Sequence, residues 1–149
     1  MQIHAPIPEL FVSHDSAQKL KAEAADLPSW DLTQRQLCDL ELLMNGGFAP
    51  LKGFMGEVDY DRVVSEMRLG DGALWPMPIT LDVSEKFAEG IEPGGDIALR
   101  DPEGVILATL CVTDKWSPDK VREAARTVAW ASRPCRASEP QRSGSDCRC

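Results

Sequence analysis

IALRDPEGVILATLCV, residues 97–112, joins two apolar runs through Asp101-Pro102-Glu103-Gly104. Pro102 presets the φ a tight turn needs, and Gly104 accepts the positive φ that closes it. The stretch therefore predicts a hairpin, with Ile97 to Arg100 entering and Val105 to Val112 returning. The returning run is apolar on both faces, the pattern of a strand central in its sheet.

Toward the N-terminus, PITLDV (residues 78–83) alternates Ile79, Leu81 and Val83 against Thr80 and Asp82, which predicts a half-buried strand. Ser84 then caps a short helix through Phe87 and Ala88 that Gly90 ends. Helix signals lie further upstream. SHDSAQKLKAEAA (residues 13–25) offers Ser13 or Asp15 as a cap, and Pro28 closes it. Thr33 and Gln36 form a capping box that starts a second helix, expected to run to about Asn45, with Gly46 and Gly47 as its left-handed stop. Leu37, Leu40 and Met44 share one face of it, widened by Cys38, Leu42 and Leu43. A third helix is expected from Asp59 to Met67, with Val63, Val64 and Met67 inward and Gly70 as terminator. Helices followed by a small, mainly antiparallel sheet indicate an α+β domain, a compact β-barrel with N-terminal helices.

The 149 residues suffice for one domain with a sizeable core. The net charge of −8 argues against nucleic acid and anionic membranes as partners, since both are bound through clustered Lys and Arg. No apolar run reaches the roughly 20 residues a membrane-spanning helix needs, and Met1 to Glu9 lacks the pattern of a signal peptide, so a cytoplasmic location is expected. The charge is unevenly spread. Residues 1–125 hold 11 Lys and Arg against 22 Asp and Glu, whereas residues 126–149 carry a net +3. After Trp130, SRPCRASEPQRSGSDCRC has no aliphatic side chain larger than Ala and no period, so residues 126–149 are expected to be disordered. The composition of that tail also looks like a coding sequence read out of frame, which would make the chain truncated or frameshifted. Cys147 and Cys149 have no other ligands near them, and Cys38 and Cys111 sit in apolar segments, where small buried thiols are the expectation.

No catalytic, cofactor-binding or metal-ligating residue can be assigned. His4 and His14 have no nucleophile or second ligand in a recognisable arrangement. Gly46-Gly47 follows a helix, whereas a phosphate-binding glycine loop follows a strand and precedes a helix. The carboxylates at Asp39 with Glu41, Asp59 with Asp61, and Asp71 suit solvated helix faces and caps.

One segment resists a purely structural account. In Gly46-Gly47-Phe48-Ala49-Pro50-Leu51-Lys52-Gly53-Phe54-Met55, large apolar groups stand on a loop punctuated by Gly and Pro, and loops normally lie on the surface. Either the loop folds over its own core or it docks another domain. The candidate docking set is Phe48, Pro50, Leu51, Lys52, Phe54 and Met55, with apolar side chains partly exposed and self-association a consequence. Lys52 is its one cation, able at most to attract an anion weakly.

RQLCDLELLMNGGFAPLKGFM (residues 35–55), RLGDGALWPMPITLDV (68–83) and GGDIALRDPEGVILATLCVTDKWSPDK (94–120) together resemble, in order and spacing, the PUA-like N-terminal domain of ATP sulfurylases. The resemblance is nearest to bacterial forms fused to adenylylsulfate kinase. It covers residues 27–125, with residues 1–26 as a helical lead-in. It implies a domain that packs against a nucleotidylyltransferase domain, where ATP and sulfate give adenylyl sulfate and pyrophosphate with magnesium. That catalytic domain, separately supplied, is the implied partner. The family's Q-x-R-N-P-x-H, H-P-L and G-R-D-x-A-G segments, which carry that chemistry, do not occur in this sequence. The resemblance thus implies a scaffold or docking domain without its own active site. Two alternatives stand beside it: a free-standing PUA-like module that binds RNA or protein, and a subunit completed by a separate catalytic chain.

Overall fold

A computed structural model describes residues 10–118 together with Val121 and Ala124. The chain divides into two compact units, Met1–Ser117 and Pro118–Cys149, and every element below belongs to the first. The tail expected to be disordered, 126–149, lies outside the described residues.

Capping chemistry places the helices where the sequence marks them. Helix α1 spans His14–Ala24, and the Ser13 hydroxyl accepts from the Ser16 amide at 3.3 Å. Helix α2 spans Gln34–Met44 and starts in a complete capping box: the Thr33 hydroxyl accepts from the Gln36 amide at 3.4 Å, and the Gln36 side-chain oxygen accepts from the Thr33 amide at 2.9 Å. Gly46, at φ 78°, supplies the left-handed stop. Its buried stripe is narrower than expected and comprises Gln36, Asp39, Leu40 and Leu43, while Cys38 and Leu42 are exposed. Helix α3 spans Glu57–Glu66. It ends at Met67, which itself takes the left-handed conformation at φ 54°, and not at Gly70. Met67 is held there from both sides, its amide donating to Val63 O and its carbonyl accepting from Trp75 N. Gly70 instead donates its amide to the Asp59 carboxylate at 2.9 Å. Helix α4, Glu85–Glu89, is capped by Ser84 and closed at Gly90.

Strands β1 (Ser29–Asp31), β2 (Asp96–Arg100) and β3 (Ile106–Cys111) form a three-stranded sheet in that order. The expected hairpin is β2–β3. One Asp101 carboxylate oxygen accepts from both Glu103 N and Val105 N, and Gly104 stands at φ 90°. Two features of the sheet differ from expectation. It is mixed, because β1 pairs parallel to β2. Strand β2, not the returning β3, is central. Ala98 N donates to Pro28 O and Leu32 N to Arg100 O, so β2 is bonded on both edges and Ile97, Ala98 and Leu99 are buried. Strand β3 alternates half-buried and exposed residues. An ion pair between Arg100 and Asp31 at 2.9 Å also ties β1 to β2.

PITLDV joins no ladder. Its carbonyls are taken elsewhere: Ile79 O accepts from Met55 N at 2.8 Å, and Asp82 O from the Gln36 side-chain amide at 2.6 Å. A buried backbone carbonyl needs a partner but not a strand as partner. The α2 side chain therefore replaces a ladder bond, and Ile79 still reaches the core.

Two apolar clusters result. Leu43, Leu51, Met55, Val63, Leu69 and Ile79 form one; Leu32, Leu40, Ile91, Ile97 and Leu99 form the other; Phe54 packs against both. The segment after β3 clamps the helices. The Asp114 carboxylate accepts from the first amide of α3 at 3.1 Å, the Lys115 ammonium donates to Ala88 O and Ile91 O behind α4, and the Trp116 ring lies 5.7 Å from that of Tyr60. Neither Cys38 nor Cys111 is a core thiol; both are exposed. Cys38 lies outside the narrow buried stripe of α2, and Cys111 on an exposed position of alternating β3. Cys111 hydrogen-bonds Asp96 across the hairpin, which, with some desolvation and the same carboxylate's charge, pushes its thiol pKa up.

Candidate docking surface

The loop after α2 is stiffened by its own backbone. Phe48 N donates to Leu42 O at 3.1 Å, Ala49 N to Gly46 O at 3.0 Å and Leu51 N to Phe48 O at 2.8 Å, and the Asn45 side-chain oxygen accepts from Gly47 N at 2.8 Å. The Ala49–Pro50 peptide bond is cis. At Gly47 the Leu42 side chain lies close, so that a Cβ there would stand 2.8 Å from its Cδ2.

This bonding divides the candidate set. Leu51 and Met55 point into the first apolar cluster and are buried, at 8% and 5% exposure. They act as core, which withdraws them from any outer contact. Phe54 is half-buried between the two clusters. Phe48 is half-buried and meets Trp75 edge to face, with ring centres 5.8 Å apart. Pro50 and Lys52 are exposed. The first alternative read from the sequence, folding over the domain's own core, holds for Leu51 and Met55, while Pro50 and Lys52 stay outside that core.

Sequence reasoning did not single out a second apolar stretch that meets Phe48 through Trp75, Leu74-Trp75-Pro76-Met77. Leu74 bridges antiparallel to Arg68, and Trp75 N donates to Met67 O at 2.8 Å. Ala73 and Trp75 turn inward against the first cluster, leaving Leu74 and Met77 at 69% and 58% exposure. The signal was present as three large apolar residues and a proline in a stretch with neither strand nor helix period.

A second feature is an open depression of about 510 Å³ between β1 and α4, lined by Ser29, Trp30, Asp31, Ser84, Lys86 and Phe87. The Trp30 and Phe87 ring centres are 4.9 Å apart. Its single cation is Lys86, and its carboxylate, Asp31, already pairs with Arg100. Neutralising a triphosphate takes several converging donors. Among the described residues no group of three or more His, Cys, Asp or Glu is placed to hold a metal ion. No described helix is long and apolar enough to cross a membrane.

Comparison with known proteins gives a family. A model of the PUA-like domain matches residues 3–133, which extends the expected 27–125 in both directions. The sulfate adenylyltransferase of Emericella nidulans is 51% identical over 126 residues, covering 81% of this chain and 22% of its own length. That of Saccharomyces cerevisiae is 45% identical over 127 residues, covering 83% of this chain and 25% of its own. Among solved structures, the hexameric APS kinase from Thiobacillus denitrificans superposes with a TM-score of 0.70 at 40% identity, over 78% of this chain and 23% of that one. The chain spans about a quarter of the length of the curated relatives it matches. With three quarters or more of its length matched in each case, and with the capping box, glycine stop and hairpin of the fold in place, this chain belongs to the PUA-like domain family as the N-terminal domain of a sulfate adenylyltransferase.

Proposed function

We propose that this domain is a non-catalytic scaffold that docks the nucleotidylyltransferase portion of sulfate adenylyltransferase, whose reaction forms adenylyl sulfate and pyrophosphate from ATP and sulfate with magnesium. The single observation carrying this reading is the divided loop. Its inner residues Leu51 and Met55 anchor it in the core, and its outer residues Pro50 and Lys52, beside half-buried Phe48, form a stiff surface that the domain itself leaves uncovered. Such a preorganised surface suits a contact whose ordering cost has been met in advance. The three-stranded sheet is read as part of a compact PUA-like barrel, a reading supported by the family match.

The absence of catalysis follows from chemistry. Sulfate is a poor nucleophile and the triphosphate is highly charged, so the reaction depends on positioned cations and amide donors around developing charge. Removing one such donor costs about 10²- to 10³-fold in rate, and the family's three motifs that supply the set are not in this sequence. Pyrophosphate release from ATP, sulfate and magnesium tests the proposal. No sulfate-dependent turnover is expected from the chain alone, and turnover by the chain alone overturns the scaffold reading. Turnover only after adding a separately expressed catalytic portion identifies a two-chain enzyme.

A further inference from the structure

Leu74-Trp75-Pro76-Met77 is an apolar run that the fold holds in place and does not bury. The Arg68–Leu74 bridge and the Trp75 N to Met67 O bond fix its backbone against the end of α3, and the Arg68 guanidinium donates to Gly72 O at 2.8 Å, tying down the turn before it. Its inner residue, Trp75, meets Phe48; on the far side of Phe48 in the chain, Leu42 lies over Gly47 and is itself exposed. Scattered exposed apolar residues need no explanation, but a run joined through an aromatic pair on a bonded frame marks an interaction surface.

We infer that Leu74 and Met77, with Leu42 and the Phe48–Trp75 pair, form the face covered by the portion of sulfate adenylyltransferase that follows this domain in its relatives. The inference rests on the docking reading above and moves the centre of the contact from the Pro50–Lys52 tip to the Leu74–Met77 run. Two observations choose the occupant. In the curated relatives the matching region is about a quarter of the chain, so the remainder is a tethered neighbour at high effective concentration. Charge agrees. Residues 1–125 carry a net −11, a sign complementary to the positioned cations that a site for ATP and sulfate requires. A second copy of this domain would instead meet its own negative field.

The test uses a full-length chimera in which residues 1–125 replace the matching region of the Saccharomyces cerevisiae enzyme. The photo-reactive substitutions Leu74→p-benzoylphenylalanine and Met77→p-benzoylphenylalanine are made singly, with the same change at Lys52 on the loop tip and at exposed Val105 on the hairpin. Cross-links from positions 74 and 77 into the downstream portion of the same chain, with none from 105, are the expected result. Links from 74 and 77 to a second copy of this domain, or to nothing, overturn the inference. If position 52 links downstream while 74 and 77 do not, the inference falls and the docking reading stands; if none links, both fall. A second measurement needs no cross-linker: Leu74→Asp with Met77→Asp should raise the rate of protease cleavage between the two portions about tenfold, equivalent to ~1.4 kcal/mol of lost docking. An unchanged rate overturns the inference.

Discussion

Gln36→Ala should destabilise this domain far more than a surface helix substitution ordinarily does. Gln36 is 1% exposed and makes two bonds in opposite directions, accepting from Thr33 N at 2.9 Å and donating to Asp82 O, 46 residues away, at 2.6 Å. A net intramolecular hydrogen bond contributes about 1 kcal/mol, and a buried group left without a partner costs about 1–3 kcal/mol more. Losing both bonds together with the packing of a side chain this deeply buried gives a cost of about 3 kcal/mol. For a domain of this size that is a fall of roughly 10 °C in melting temperature. Thr33→Ala is the control, because it removes only the 3.4 Å cap to the Gln36 amide, a loss of about 1 kcal/mol. Urea unfolding followed by circular dichroism measures both. If Gln36→Ala costs no more than Thr33→Ala, the bond to Asp82 does not stabilise the fold, and the reason given for PITLDV remaining outside the sheet is wrong.

Three further outcomes are expected. Burial pushes the Asp39 carboxyl up from its ordinary value, with the Arg35 guanidinium at 3.5 Å pulling it down less strongly. The folded state therefore holds this proton more tightly than the unfolded state, and stability falls as pH rises from the ordinary aspartate value through the raised one. Asp39→Asn should abolish that fall and cost nothing at pH 7; urea midpoints for both proteins from pH 4 to 7 that run parallel would refute it. Leu51→Ala should cost about 2–5 kcal/mol as a core truncation, whereas Lys52→Ala should stay within about 0.5 kcal/mol, and equal costs would contradict the division of the loop. In a background lacking Cys135, Cys147 and Cys149, both Cys38 and Cys111 should react with a thiol reagent without unfolding, Cys111 the more slowly at neutral pH because Asp96 raises its pKa; protection of both would restore the core-thiol expectation.

Local chemistry determined the parts of this protein that neighbours in sequence can settle. The Thr33–Gln36 capping box, the Gly46 stop, the Ser13 and Ser84 caps and the Asp101–Gly104 turn each close within a few residues, and the structure reproduces them. The family likeness lay in a similarly short run, since NGGF and the residues after it combine a helix stop and two core anchors. Tertiary structure decided what depends on partners distant in the chain. Strand β1 is three residues long and carries no period of its own; it exists because Pro28 and Leu32, on either side of it, exchange backbone bonds with Ala98 and Arg100 of β2. PITLDV alternates like a strand, yet Gln36 and Met55 reach its carbonyls first. Met67 rather than a glycine ends α3, because Trp75 bonds its carbonyl from outside the helix. Most consequentially, Phe48, Leu51, Phe54 and Met55 read alike as apolar residues on a loop. Only the position of the core beneath that loop separates Leu51 and Met55, which hold it down, from the outer surface that Phe48 shares with Trp75, Leu74 and Met77.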